Sequence, residues 1–130
     1  MYMAQSRFGA ARTRYESVDL SSRIEAATAH GLVGILFEEL IKALDAMAAA
    51  CRRRDFSQRG ARQSRVLAIL AGLEGSLDHE QGGEVAASLA TIYREARRLT
   101  LAAAQENDPE PLLRARAMLA EIASAWNAIG

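Results

Sequence analysis

Apolar residues recur at alternating intervals of three and four along four stretches of this chain, and each stretch reads as a helix with one face against a neighbour. The first runs from Ala29 to Arg54, with Val33, Phe37, Leu40, Leu44, Met47 and Cys51 in one stripe. The second, from Ser57 to Leu77, carries Val66, Leu70, Leu73 and Leu77. The third, from Gly83 to Glu106, carries Val85, Leu89, Ile92, Ala96, Leu99 and Ala103. The fourth, from Pro109 to Ile129, carries Leu112, Ala115, Leu119, Ile122, Trp126 and Ile129.

Residues between the stripes punctuate them. Thr28 is placed to cap the first helix, its hydroxyl accepting from an otherwise unpaired amide. "RRRDF" follows, and arginine suits the partial negative charge of a helix C-terminus. "HEQGG" predicts a turn, with glycine where the backbone needs positive φ. In "NDPEP", Asp108 predicts an N-cap and Pro109 the first helical position. Connections this short force successive helices to run antiparallel, so the expected fold is all-α: an up-down-up-down four-helix bundle over residues 28–130. Residues 1–27 show no sustained period and read as an N-terminal arm or short extra helix, with "SRIE" (Ser22 to Glu25) as a capping box that starts one turn.

Composition narrows the class. The chain has 130 residues, one domain's usual size, and half are hydrophobic. Alanine dominates that half, which favours helix over strand. Sixteen basic and sixteen acidic residues cancel, so no global field draws the molecule to nucleic acid or a membrane. The single Cys51 excludes an internal disulfide and suits a reducing compartment. No apolar run approaches the ~20 residues of a membrane span, and the first residues lack the continuous apolar core of a secretory signal. The expected location is the cytoplasm.

Catalytic and cofactor chemistry is not indicated. Neither His30 nor His79 falls in the Glu-x-x-His pattern that a di-metal bundle needs twice, and both lie near predicted helix ends as surface or capping residues. Cys51 lies on an apolar stripe, as a buried inert thiol does. The run Glu74, Asp78, Glu80 and Glu84 matches no calcium loop. We expect no enzyme, no metal and no cofactor. Arg52 to Arg65, "RRRDFSQRGARQSR", holds six arginines against Asp55. One reading is a solvated helix–helix corner. The alternative is a helical regulator that binds nucleic acid there, although Phe56 is the only interleaved aromatic residue.

Turning each helix by about 100° per residue separates core from surplus. Ile35 falls nearly opposite the first stripe, beside Glu38 and Lys42. Leu101 falls opposite the third, among Arg94, Arg97 and Arg98. Leu113 is off the fourth seam, while Met118 and Ile69 flank theirs. With Tyr15 of the arm, Leu32 and Leu36 of the wide first stripe, and Tyr93 bridging core and groove edge, these residues are the candidate partner-binding set. Val85, Leu89, Ile92 and Leu99 are the expected seam. Isolated exposed apolar residues are ordinary; grouped into grooves, they fit an apolar helix from a partner. Burying four to six such side chains supplies ~1.5–3 kcal/mol each, against ~2–5 kcal/mol or more to order a disordered segment. Tyr15, Val18, Leu20 and Ile24 of the arm are the expected cover of an empty groove.

The stretch "LDHEQGGEVAASLATIY", then "RR" and "NDPEPLLRARAMLAEIASAW", resembles the flagellar secretion chaperone FliS family. Its pattern there looks like LD-x-E-x-GGE-[IV]-A-x-x-L-x-x-[IL]-Y, then ND and a late tryptophan. "MY" at the start and "TAHGLVGILFEEL" extend the match to nearly the whole chain. The family's proline near Ala29 is missing, Glu95 stands where a second tyrosine is common, and Ala104 replaces a common asparagine. The resemblance implies a cytoplasmic all-α export chaperone that holds the C-terminal segment of flagellin and prevents premature polymerisation. It implies export-gate components as further partners, and no nucleic acid. It also implies that Tyr15, which matches the family's arm tyrosine by its spacing to "TAHGL", lies over a groove.

Overall fold

Each of the four stripes is a helix in the computed structural model, which describes residues 18–130. Five helices are present among them: α1 (residues 18–26), then α2 (Ala29–Arg53), α3 (Phe56–Gly75), α4 (His79–Glu106) and α5 (Glu110–Ala128). No strand occurs among the described residues. Val33–Gly130 forms one compact unit, and residues 18–32 belong to a second. Ser22 lies inside α1 rather than at its start. The capping-box expectation is therefore corrected: a serine followed by glutamate three residues later is also compatible with a helix already under way.

The connections explain where the helices stop. Thr28 Oγ1 accepts from the Gly31 amide at 3.0 Å, capping α2 as expected. At the other end the Asp55 amide reaches back to the Ala50 carbonyl at 3.0 Å, while Arg54 adopts a left-handed φ of 57°. That pattern closes a helix by using its last unpaired carbonyls. Asp55 then caps α3, its carboxylate accepting from the Gln58 amide at 3.1 Å. Asp78 caps α4 by accepting from the amides of Glu80 and Gln81, both at 3.1 Å. After α4, Asn107 takes a left-handed φ of 51°, and Asp108 accepts from the Glu110 amide at 3.0 Å ahead of α5.

The glycine pair departs from its expected role. "HEQGG" is not a turn between helices, because α4 already begins at His79. Gly83 breaks the helical path inside it, with φ 51° and ψ −122°. A side chain is disfavoured in that backbone conformation. Gly82 is needed for a different reason, since a Cβ there would stand 2.9 Å from the Ala86 Cβ. The first turn of α4 is thus a short capped segment set at an angle to the remainder.

Within Val33–Gly130, the helices bury one continuous core. Phe37, Leu40, Leu44 and Met47 from α2 meet Val66, Leu70 and Leu73 from α3, Tyr93, Ala96 and Leu99 from α4, and Leu112, Ala115 and Leu119 from α5. Four of the seven buried α4 residues are alanine, and small side chains let helix backbones approach closely. Thr100 is the buried polar exception, and its hydroxyl donates to the Ala96 carbonyl at 2.8 Å. Ion pairs tie α2 to α5 (Arg116 to Asp45, 2.7 Å), α2 to α3 (Arg65 to Glu39, 3.7 Å) and α3 to α4 (Arg94 to Glu74, 3.1 Å). Neighbours therefore follow chain order around the bundle, as an up-down-up-down path requires.

One end of the bundle is tied more tightly than the other. Asn107 accepts from Arg59 Nη1 at 3.1 Å and donates to the Cys51 carbonyl at 3.2 Å. A single amide side chain thereby links the end of α2, the start of α3 and the end of α4. Cys51 beside it is buried, and burial pushes its thiol above the ordinary range. Arg59 lowers it in part. A raised thiol is a poor nucleophile, in keeping with a packing role.

Candidate functional site

At the opposite end the core is left open. Here α2 and α4 begin while α3 and α5 end, and a groove of about 570 Å³ runs among them, lined by residues of all four helices. Phe37 and Trp126 form its aromatic floor, with ring centroids 6.4 Å apart and planes at 65°. That edge-to-face arrangement is favourable for two rings. Val33 stands on α2, Leu77 just past the end of α3, Val85 and Leu89 on α4, Ile122 on α5 and Ile129 just past its end. Its polar edge is Ser76 and Asp78, and the Asp78 carboxylate is already engaged with the first amides of α4. The rest of the lining consists mostly of apolar side chains. The groove can bury apolar surface, and its volume lies within the ~300–1,000 Å³ of ordinary ligand pockets.

Most of the large apolar lining residues belong to the core stripes, yet two of them are largely exposed. Val85 is 68% exposed and Ile129 is 76% exposed. Both were expected on the seam, and the structure corrects this. Their azimuth on the helix is right, but they lie at its axial end. Ile129 follows the last residue of α5, and Val85 lies two residues beyond the Gly83 break. A helical wheel reports direction and is blind to whether a neighbour extends far enough to cover the residue.

The predicted partner-binding residues are dispersed. Tyr93 is the member that lines the groove while also belonging to the core, as its bridging position suggested. Burial raises its phenol pKa above the usual value. Ile35 is buried, at 8% exposure, rather than facing outward, and Ile69 is a core residue rather than a flanking one. Adjacent helices bury a wider arc than one stripe, which accounts for Ile69. Leu36 and Met118 are half-buried against the core. Leu32, Leu101 and Leu113 are exposed and lie outside the groove lining. In α1, Val18 and Ile24 are exposed and Leu20 is half-buried. Tyr15 lies outside the described residues. The groove residues missed from sequence carried one usable signal: Val85 lies two residues after a glycine pair, and Ile129 ends its stripe at the end of the last helix.

Other candidate chemistry is placed as follows. His79 is the exposed first residue of α4, and His30 is half-buried near the start of α2. Among the described residues no group of three or more histidine, cysteine or acidic side chains is arranged to hold a metal. Among the same residues no helix is long and apolar enough to cross a membrane. Half of the basic stretch is engaged within the molecule: Arg53 approaches Asp55 at 4.0 Å, Arg65 approaches Glu39, and Arg59 bonds Asn107. On α4, Arg94 pairs with Glu74, and Arg98 Nε bonds Glu95 at 2.9 Å, which lowers the Glu95 pKa.

The helical bundle with its open apolar end has relatives. The model of the family described as flagellar protein FliS matches residues 11–130. The flagellar secretion chaperone FliSB of Pseudomonas aeruginosa is 28% identical over 119 residues, covering 92% of this chain and 94% of that protein. The flagellar secretion chaperone FliS of Salmonella typhimurium is 31% identical over 116 residues, covering 88% and 86%. That of Vibrio cholerae is 30% identical over 115 residues, covering 88% and 85%. A family match over residues 11–130, together with relatives of 30% and 31% identity across most of both chains, places this chain in the FliS family of flagellar proteins.

Proposed function

We propose that the molecule is a cytoplasmic export chaperone that holds the C-terminal segment of flagellin with its apolar face in the groove. The observation that carries this reading is the continuous apolar furrow shared by α2, α3, α4 and α5, with Val85 and Ile129 exposed on its rim. Exposed large apolar side chains around a concave surface raise the free energy of the empty protein in water, and an amphipathic helix removes that cost on docking. Masking a self-associating segment needs occupancy alone, and no bond is made or broken. The related proteins' names as flagellar secretion chaperones support a chaperone role in flagellar secretion. Delivery to components of the flagellar export gate is the step this role serves.

Calorimetric titration with a flagellin C-terminal segment tests the assignment. Val85→Asp and Ile129→Asp each place a charge in the furrow and are expected to weaken binding at least about tenfold. Leu101→Asp and Leu113→Asp, at exposed positions outside it, are expected to leave affinity unchanged. The reverse outcome moves the docking surface to that second pair. Competition from the N-terminal segment that includes Tyr15, Val18 and Leu20 is part of the same proposal. Removing residues 1–20 is expected to strengthen client binding, and unchanged affinity eliminates the competition.

A further inference from the structure

We propose that the corner between α2 and α3 is a docking site for an acidic polypeptide segment of a partner protein, built on Phe56 and the guanidinium groups of Arg54 and Arg59. Phe56 is 48% exposed. The Arg54 guanidinium stands 5.3 Å from its ring centroid and that of Arg59 stands 5.0 Å away. Both lie within the range of a cation–π contact. Arg59 is held from behind by its bond to Asn107, so ring and guanidinium are positioned before any partner arrives.

Arg54 supplies an independent observation. It occupies a left-handed backbone conformation, φ 57°, at the end of α2. Glycine is the usual occupant of such a position because it avoids the crowding of a Cβ. A charged residue held there against its backbone preference points to a use for its side chain. Arg52, Arg54 and Arg62 are in no ion pair with a carboxylate among the described residues, unlike Arg53 and Arg65. The corner therefore offers guanidinium groups that are in no such ion pair, beside a half-exposed aromatic ring.

Carboxylates match this chemistry. A guanidinium presents paired N–H donors that a carboxylate accepts bidentately, and the ring accommodates the aliphatic stems between charges. A uniformly charged polyphosphate fits less well, because Asp55, Glu106, Asp108 and Glu110 lie at or beside the same helix ends and would oppose it. Carboxylates spaced along a polypeptide can avoid those groups. The site is also remote from the groove: Arg54 follows Phe37 by seventeen residues along the chain, which at 1.5 Å per helical residue is roughly 25 Å. Its occupant is independent of whatever fills the groove, and the inference does not rest on the flagellin reading.

The test is fluorescence anisotropy of the full chain with a labelled peptide that alternates glutamate with leucine and serine. A glutamine-for-glutamate copy and an oligothymidine serve as comparison probes. The glutamate peptide is expected to bind, and the glutamine copy at least about tenfold more weakly. Arg54→Gly and Phe56→Ala are each expected to reduce affinity for the glutamate peptide about tenfold or more. Arg54→Gly relieves the left-handed strain, so a thermal midpoint at or above that of the parent shows that the loss is not unfolding. Arg97→Ala, an exposed arginine elsewhere, is expected to change nothing. Equal binding of the two peptides, or unaltered affinity in Arg54→Gly, overturns the proposal. Tighter binding of oligothymidine than of the glutamate peptide also overturns it and assigns the corner to nucleic acid.

Discussion

At the residue scale, Asn107 joins conformation and packing in one side chain. Its left-handed backbone closes α4, and its amide holds Arg59 and the Cys51 carbonyl. Asn107→Gly keeps the backbone at ease while removing both bonds, whereas Asn107→Ala removes them and leaves a Cβ in the left-handed region without asparagine's local hydrogen bonding, which costs about 1–2 kcal/mol relative to glycine. Urea unfolding is expected to rank parent above Gly above Ala, with about that difference between the two variants. Tyr93 gives a pH dependence. An unfolded tyrosine titrates near ~10, and burial raises the folded value above it. The fold therefore prefers the neutral phenol. Its stability is intact below about pH 10 and falls as the pH rises, first through the unfolded and then through the folded value. The urea midpoint is expected to drop above about pH 10, and to drop less in Tyr93→Phe.

At the scale of elements, the two adjacent glycines of α4 make separable predictions. Gly83→Ala meets no neighbouring atom but strains the backbone at φ 51°. Gly82→Ala drives a Cβ against Ala86. Both are expected to lower the urea midpoint. Adding Ala86→Gly is expected to recover part of the loss in the second variant and none in the first, a coupling that a double-mutant cycle isolates. Helices of this kind are legible in a sequence because period, cap and break are local. The α2, α3 and α5 stripes match their helices within about two residues at each end, a normal uncertainty for helix termini. The start of α4 was not legible, because a glycine pair marks a break without saying whether a helical turn precedes it. Asp78 was the missed signal, a capping residue four positions upstream of Gly82.

At the scale of the whole chain, what hides the groove from sequence is the third dimension of a bundle. Val85 and Ile129 repeat with the core period, and a wheel sets them beside Leu89 and Ile122. Only the lengths of the adjacent helices decide which are covered. Ile35 was misread in the opposite sense, since its neighbours Glu38 and Lys42 on the wheel gave no sign of burial. A fully buried α2 residue away from the groove, such as Leu44 or Met47, is expected to cost about 2–5 kcal/mol when replaced by alanine. Val85→Ala at the open rim is expected to cost less than about 1 kcal/mol while still weakening client binding. Comparing chemical denaturation with calorimetric affinity for these variants separates residues that hold the bundle from those that hold its guest.

The Asn107 fastening also sets where the molecule can yield. With three helix ends pinned together at one pole and an aperture at the other, the bundle resembles a peg spring. Thermal breathing should widen progressively with distance from the pin. Amide hydrogens just after Gly83 should exchange with deuterium well before those around Thr100, and a seated guest should slow the first group far more than the second. Cutting the pin with Asn107→Ala should erase that gradient by loosening the slow pole.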